Sequence, residues 1–331
     1  MPAKFWLSIS FGAWLQLGVV AYSSAVDGVN SVDQLLSKLS HTVQERNYRG
    51  LFTYEYGGTL DTLEIVHLVR DGREYERLQH LSGPSREIFR SGREITCVSI
   101  GAQLLRGGLF SPRQNSAQLH QYYDFGLGDD ERIAGRTATI VRLIPKDQYR
   151  YGLWLSVDKA TGFPVKTLVV NESRNVLERI QFIELDFDID ASQFPIAEAE
   201  GSYKVVPTAQ DACGADDESP SPQAAPGEPV TEVVWHAQWL PQGFVLSEHN
   251  YSARDGYQHT YTDGLSSFSV FITPGDSDHP AQPGLAQRGA TVALMVSLSI
   301  KNHPAKVAVV GEIPPVTAEQ VALNMRPVAE K

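Results

Sequence analysis

Residues 259–272, HTYTDGLSSFSVFI, set a histidine, a tyrosine and an aspartate (His259, Tyr261, Asp263) within five positions, an imidazole, a phenol and a carboxylate that could in principle move protons. Acid–base work of that kind needs a nucleophile or a second carboxylate at a recognisable spacing, and none accompanies them. The flanking residues point elsewhere. Asp263-Gly264 followed by Leu265, Phe268, Val270 and Ile272 is a turn leading into a strand-like alternation, so the stretch is expected to be a hairpin that presents a surface.

The other reactive side chains give no catalytic pattern, and no catalytic residue is expected. A P-loop, a GxSxG elbow, an HExxH helix, a CxxC pair and a GxGxxG fingerprint are absent from the sequence. Gly126-Leu127-Gly128-Asp129-Asp130 lacks the third glycine. Histidines such as His67, His120, His236 and His303 stand singly, without ligand spacing. Glu184, Asp186, Asp188 and Asp190 alternate with Gln181, Ile183, Leu185, Phe187 and Ile189, which reads as the solvated face of a strand. Neither a metal nor a cofactor is expected. Six arginines, Arg70, Arg73, Arg77, Arg86, Arg90 and Arg93, crowd one region as a candidate anionic contact, although Glu74, Glu76, Glu87 and Glu94 are interleaved with them.

Elements must position these groups, and 331 residues suggest two domains. The start, MPAKFWLSISFGAWLQLGVVAYSSA, has one basic residue, an apolar run and small residues before a cleavage point expected after Ala25. Removing Lys4 takes the net charge from -11 to -12, which disfavours nucleic acid as a partner. Export would expose Cys97 and Cys213 to oxidation; whether they pair is open. Val32, Leu35, Leu36, Leu39 and Val43 then predict an amphipathic helix capped at Ser31. Short β-prone runs divided by Gly57-Gly58, Asp71-Gly72 and Ser82-Gly83-Pro84 predict an antiparallel meander, interrupted over 118–136 by a loop or short helix.

A Pro-, Ala- and acid-rich linker over 208–229 would separate a domain at 26–207 from a small α+β domain at 230–331. Thr317-Ala318-Glu319-Gln320 after Pro314-Pro315 is expected to be a capping box opening a terminal helix. A curved sheet closing over a helix either packs solid or leaves an apolar cavity; both readings stand. The residues expected to line such a cavity are Phe52, Tyr54, Tyr56, Leu153, Leu155 and Phe182.

The phrases GREYERLQHLSGPSREIFR, RIAGRTATIVRLIPKDQYRYGLWLSVDKATGFPVKTLV, VLERIQF, HTYTDGLSSFSVFI and VVGEIPPVTAEQVA, in this order, resemble the MucB/RseB family of periplasmic regulators of the sigma-E envelope stress response. The resemblance implies an α+β protein with an N-terminal half-open antiparallel β-barrel around a helix, similar to the LolA and LolB lipoprotein carriers, and a smaller C-terminal domain. It implies a periplasmic protein that is not an enzyme. Its implied partners are the periplasmic domain of a membrane-spanning anti-sigma factor of the RseA or MucA type, shielded from regulated proteolysis, and lipopolysaccharide or another acyl-chain lipid that loosens the complex. A homo-oligomer is compatible with it. His259, Tyr261, Phe268 and Val270 would then face the protein partner, and a lipoprotein carrier is the alternative function.

Overall fold

The computed structural model describes residues 24–70, 73–91, 116–187, 189, 235–252, 256–275, 282–300 and 303–327. The expected leader at 1–25 but for its last two residues, the linker at 208–229, Cys97, Cys213, Asp188 and Asp190 lie outside them. Helix α1 (Ser24–Glu45) buries Val32, Leu36, Leu39 and Val43 at the expected spacing. It starts earlier than a cap at Ser31 would allow, because no proline stands between Ser24 and Ser31 to break it, and Ser31 lies within the helix.

Nine strands follow: β1 (Tyr48–Tyr56), β2 (Thr59–Arg70), β3 (Arg73–His80), β4 (Glu87–Ser91), β5 (Tyr123–Ile133), β6 (Arg136–Pro145), β7 (Gly152–Asp158), β8 (Pro164–Val170) and β9 (Val176–Asp186), with helix α2 (Ser116–Tyr122) before β5. They form one antiparallel sheet in the order β4-β3-β2-β1-β9-β8-β7-β6-β5. Gly57 and Gly58, at φ 51° and 77°, supply the two left-handed residues of the tight β1–β2 turn. Among the described residues the pairing ends at β4 and β5 without closing. The protein is mostly β with few helices.

The core lies where α1 covers one face of this sheet. Leu36, Leu39 and Val43 meet Phe52 of β1, Leu153 and Leu155 of β7, and Phe182 of β9 in one buried cluster. Phe182 sits at its centre, with ring centroids 5.3 Å from Phe52 and 5.2 Å from Phe163. Two expectations fail here. The run 118–136, expected to be a loop or short helix, is helical only as far as Tyr122 and then continues as β5, because Tyr123–Ile133 pairs along β6 through a bulge between Leu127 and Asp130. In β9, Phe52 pairs with Phe182 but Leu51 pairs with Glu184, so Ile183 is an extra residue. That bulge flips the alternation: Phe182 and Leu185 both turn inward, while Ile183 is 53% exposed.

The small domain has strands β10 (Trp235–Ala237), β11 (Val245–Ser252), β12 (Gly256–Thr262), β13 (Ser267–Pro274), β14 (Gly284–Arg288), β15 (Thr291–Ile300), β16 (His303–Gly311) and β17 (Met325–Pro327), with helix α3 (Pro315–Leu323). A six-stranded antiparallel sheet runs β11-β12-β13-β16-β15-β14, and β10 pairs with β17. Ala318, Val321 and Ala322 of α3 pack on Phe268, Val270, Val307 and Val309 in a second core.

Truncating the central ring is the sharpest test of the first core. Phe182→Ala is expected to lower the free energy of unfolding by about 3–5 kcal/mol in a urea titration, the usual cost of emptying a buried aromatic site.

Candidate functional site

The hairpin read from sequence exists, and its turn is where the two domains meet. Asp263 Oδ1 accepts the backbone N–H of Leu265 at 2.9 Å and of Ser266 at 2.8 Å, closing the turn between β12 and β13. Its other oxygen faces the large domain. Asp263 Oδ2 accepts Arg150 Nη1 at 2.6 Å and the Tyr123 hydroxyl at 3.0 Å.

Arg150, between β6 and β7, donates through Nε and Nη2 to the two carboxylate oxygens of Asp147 at 3.1 and 2.9 Å, and through Nη2 to the Gln242 carbonyl at 2.6 Å. Both side chains of the Arg150–Asp263 pair are fully buried. The guanidinium lies 5.1 Å from the ring of Tyr122, 5.5 Å from Tyr123 and 5.2 Å from Phe244. Burial, followed by the Asp263 carboxylate, pushes the Tyr123 phenol well above its ordinary range, so it remains a hydrogen-bond donor.

A second turn, between β14 and β15, docks nearby. Ala290 is fully buried in the large domain's core, and its N–H donates to Glu178 Oε1 at 2.9 Å. Glu178 Oε2 accepts the Tyr54 hydroxyl at 2.8 Å. Burial pushes the Glu178 carboxyl up, partly offset by those two donors. Arg288 lies 4.5 Å over the Tyr56 ring and donates to Thr59 Oγ1 at 3.0 Å, while Gln287 donates to the Tyr151 hydroxyl at 3.3 Å. Burial, then Glu178, pushes the Tyr151 phenol up to about 12.

A third contact corrects an expectation. The residue preceding α3 is Pro314 and no side-chain hydrogen bond caps it, because the two prolines set the helix start ahead of Thr317. Thr317 instead donates to the Tyr149 carbonyl of the large domain at 2.8 Å.

The expected site residues fall as follows. His259, Tyr261, Phe268 and Val270 are buried in the small domain rather than displayed on its surface. His259 Nδ1 lies 3.3 Å from the Tyr261 hydroxyl, and its Nε2 has no hydrogen-bond partner among the described residues. Burial, then neighbouring His249, pushes the His259 imidazole down to about 4. Phe52, Leu153, Leu155 and Phe182 are buried beneath α1, whereas Tyr54 and Tyr56 are half-buried, stacked 4.5 Å apart, and hold the second turn.

Among the arginines, Arg77 pairs with Glu64 at 2.9 Å, Arg86 is half-buried and Arg70 is exposed. Arg73 and Arg90 lie on β3 and β4 with side chains outside the described set, and Arg93 is outside it altogether. The sequence reading missed Arg150, Tyr123, Glu178 and Arg288. Glu178 carried a signal: it shares strand parity with Ile180 and Phe182, a carboxylate on a core face.

The MucB/RseB N-terminal domain model matches residues 31–200, and the MucB/RseB C-terminal domain model matches 229–326. The sigma factor AlgU regulatory protein MucB of Pseudomonas aeruginosa is 36% identical over 327 residues, covering 95% of this chain and 96% of its own. The sigma-E factor regulatory protein RseB of Escherichia coli K12 is 26% identical over 344 residues, 98% of each chain. The solved Pseudomonas aeruginosa MucA/MucB complex superposes with a TM-score of 0.69 at 33% identity, covering 91% of this chain and all of that one. MucB in complex with MucA(peri) gives 0.67 at 33% identity, covering 90% of this chain and 99% of that one.

Two outcomes follow from the buried groups. Asp263→Ala is expected to cost about 3–5 kcal/mol in chemical denaturation, because it strands Arg150 without its partner; Asp130→Ala, at an exposed surface pair, should leave stability nearly unchanged. For His259, a base whose pKa falls from 6.5 to about 4 on folding, the stabilisation is complete above 6.5 and declines at about 1.4 kcal/mol per pH unit down to about 4. Denaturation midpoints measured between pH 7 and 4 should fall less steeply in His259→Gln than in the parent.

Proposed function

We propose, on the premise that the chain belongs to the MucB/RseB family, that it is a periplasmic negative regulator of a sigma-E (AlgU-type) stress response, exported by the segment at 1–25. It binds the periplasmic domain of a membrane-spanning anti-sigma factor of the RseA or MucA type and shields that domain from regulated proteolysis. The observation that carries this reading is the likeness, spanning both domains, to MucB solved together with MucA. The protein acts by binding rather than catalysis. In the same reading the large sheet is the half-open barrel of a lipid-responsive domain, and lipopolysaccharide or another acyl-chain lipid releases the partner.

The docked small domain favours this function over a lipoprotein carrier. A carrier would need only the large domain, yet the small domain inserts Asp263 and Ala290 into it. The hairpin's His259, Tyr261, Phe268 and Val270 then support the partner surface from beneath, as the core of the domain that displays it.

Immobilised periplasmic segment of the anti-sigma factor should capture the purified protein, and added lipopolysaccharide should release at least half of it. Failure of capture at micromolar protein would remove the regulatory reading. Capture that lipopolysaccharide leaves intact would remove only the lipid trigger.

A further inference from the structure

The register at the edge of the small domain's sheet brings two imidazoles together. His249 of β11 pairs with His259 of β12, and directly opposed residues of paired strands leave the sheet on one face with Cβ atoms about 5 Å apart. Their ring centroids are 4.8 Å apart, with 69° between the planes. His249 is exposed, like every residue of β11, whereas His259 is buried. The inner histidine carries an unmet demand. Its Nδ1 is occupied at the Tyr261 hydroxyl, 3.3 Å away, and its Nε2 is buried with no hydrogen-bond partner among the described residues. When Nδ1–H donates to the Tyr261 oxygen, Nε2 keeps a bare lone pair out of reach of water, which is unfavourable.

That arrangement is the one in which an imidazole ligates a metal, with one ring nitrogen oriented by a polar neighbour and the other left to coordinate. We propose that His249 and His259 form a cross-strand site for a late first-row divalent cation, copper(II) foremost. A cation about 2 Å from each ligating nitrogen stands about 3 Å from each ring centre, and two such ligands at roughly a right angle place those centres about 4.5 Å apart. The observed 4.8 Å fits that span. His249, being exposed, has room to turn its ring so that a nitrogen meets the cation held on His259. Burial pushes the His259 imidazole down to about 4, so at neutral pH its ring is uncharged and able to ligate. Among the described residues no third histidine, cysteine or carboxylate joins the pair, so water takes the remaining positions. Imidazole and water suit copper(II), which also heads the order of divalent affinities.

The cation would act as a clip. Among the described strands β11 pairs only with β12, while Tyr257 and Tyr261 of β12 belong to the small domain's core, so a metal held by both strands ties an exposed edge to that core. The site stands apart from the domain junction and does not depend on the regulatory reading. The untagged full chain, titrated calorimetrically with copper(II) in a weakly coordinating buffer at pH 7, should bind one equivalent with micromolar affinity. His249→Ala is expected to weaken that binding at least tenfold, whereas His41→Ala, at an exposed histidine of α1 beside Glu45, should leave it unchanged. The electron spin echo spectrum of the copper-loaded chain should show two equatorial imidazoles in the parent and one in His249→Ala. Hydrogen exchange at the β11 amides should slow at least fivefold on adding one equivalent of copper to the parent, and not in His249→Ala.

Equal copper affinity in the parent and His249→Ala, or a single imidazole in the parent's spectrum, overturns the site and leaves the pair as a ring contact. Binding that survives in both His249→Ala and His259→Gln does the same, because the ion then sits on other histidines. Exchange at β11 that copper leaves unaltered in a parent that binds it overturns the clip. Should His259→Gln fail to fold, His249→Ala, made at an exposed position, still decides.

Discussion

An arginine and an aspartate stripped of water inside a protein are tolerable only if every donor and lone pair that water had served is served again. The Arg150–Asp263 pair meets that demand with groups drawn from the segment between β6 and β7, the start of β5, the loop before β11 and the β12–β13 turn. Each of those segments is thereby fixed relative to the others. Asp263 uses one oxygen to shape its own turn and the other to bind Arg150, so the conformation of the hairpin and the docking of the domain it belongs to are a single constraint. Aromatic rings on three sides keep the pair dry.

The rest of the junction is built around that point and at lower stakes. Thr317 of α3 and the contact of Tyr149 with Trp239, just after β10, at 5.0 Å between centroids, extend it. Glu178 holds the other turn through an amide and a phenol, with no cation paired to it among the described residues. A binding protein benefits from this division, since one strong contact preserves the relative placement of two domains while a weaker one leaves part of their shared surface responsive to a third molecule. The aromatic residues expected to meet lipid divide in the same way: Phe52 and Phe182 are packed under α1, whereas Tyr54 and Tyr56 belong to the junction.

Local patterns were legible in the sequence and distant pairings were not. The 3–4 residue spacing of Val32, Leu36, Leu39 and Val43, the Gly57-Gly58 turn and the Asp263-Gly264 turn all depend on neighbours in the chain, and each forms the element expected of it. The Ile183 bulge escaped because alternation assumes unbroken register, and only the partner strand reveals the extra residue. The hairpin was read correctly as a hairpin, yet its side chains could not be assigned to a surface. Their burial depends on α3 and on strands many residues away, and Arg150 gives no sign of Asp263 in its own surroundings. The family, by contrast, was readable, because ordered phrases survive where single contacts do not.

The placement of β1 governs how the large domain comes into being. β1 lies between β2 and β9, so the first strand of the sheet is paired with its last, Arg49 with Asp186 and Phe52 with Phe182. Closing so long a loop costs chain entropy before any contact repays it, which makes folding slow relative to the local hairpins. A chain emerging from its N-terminus would form β1 and β2 early, with one side of β1 unpaired and α1 without its full floor until β9 arrives. During that interval an apolar strand edge is open to other chains. Folding in a crowded compartment would therefore be limited by the delivery of β9, and a chaperone that shields the free side of β1 would improve the yield more than one acting on the small domain.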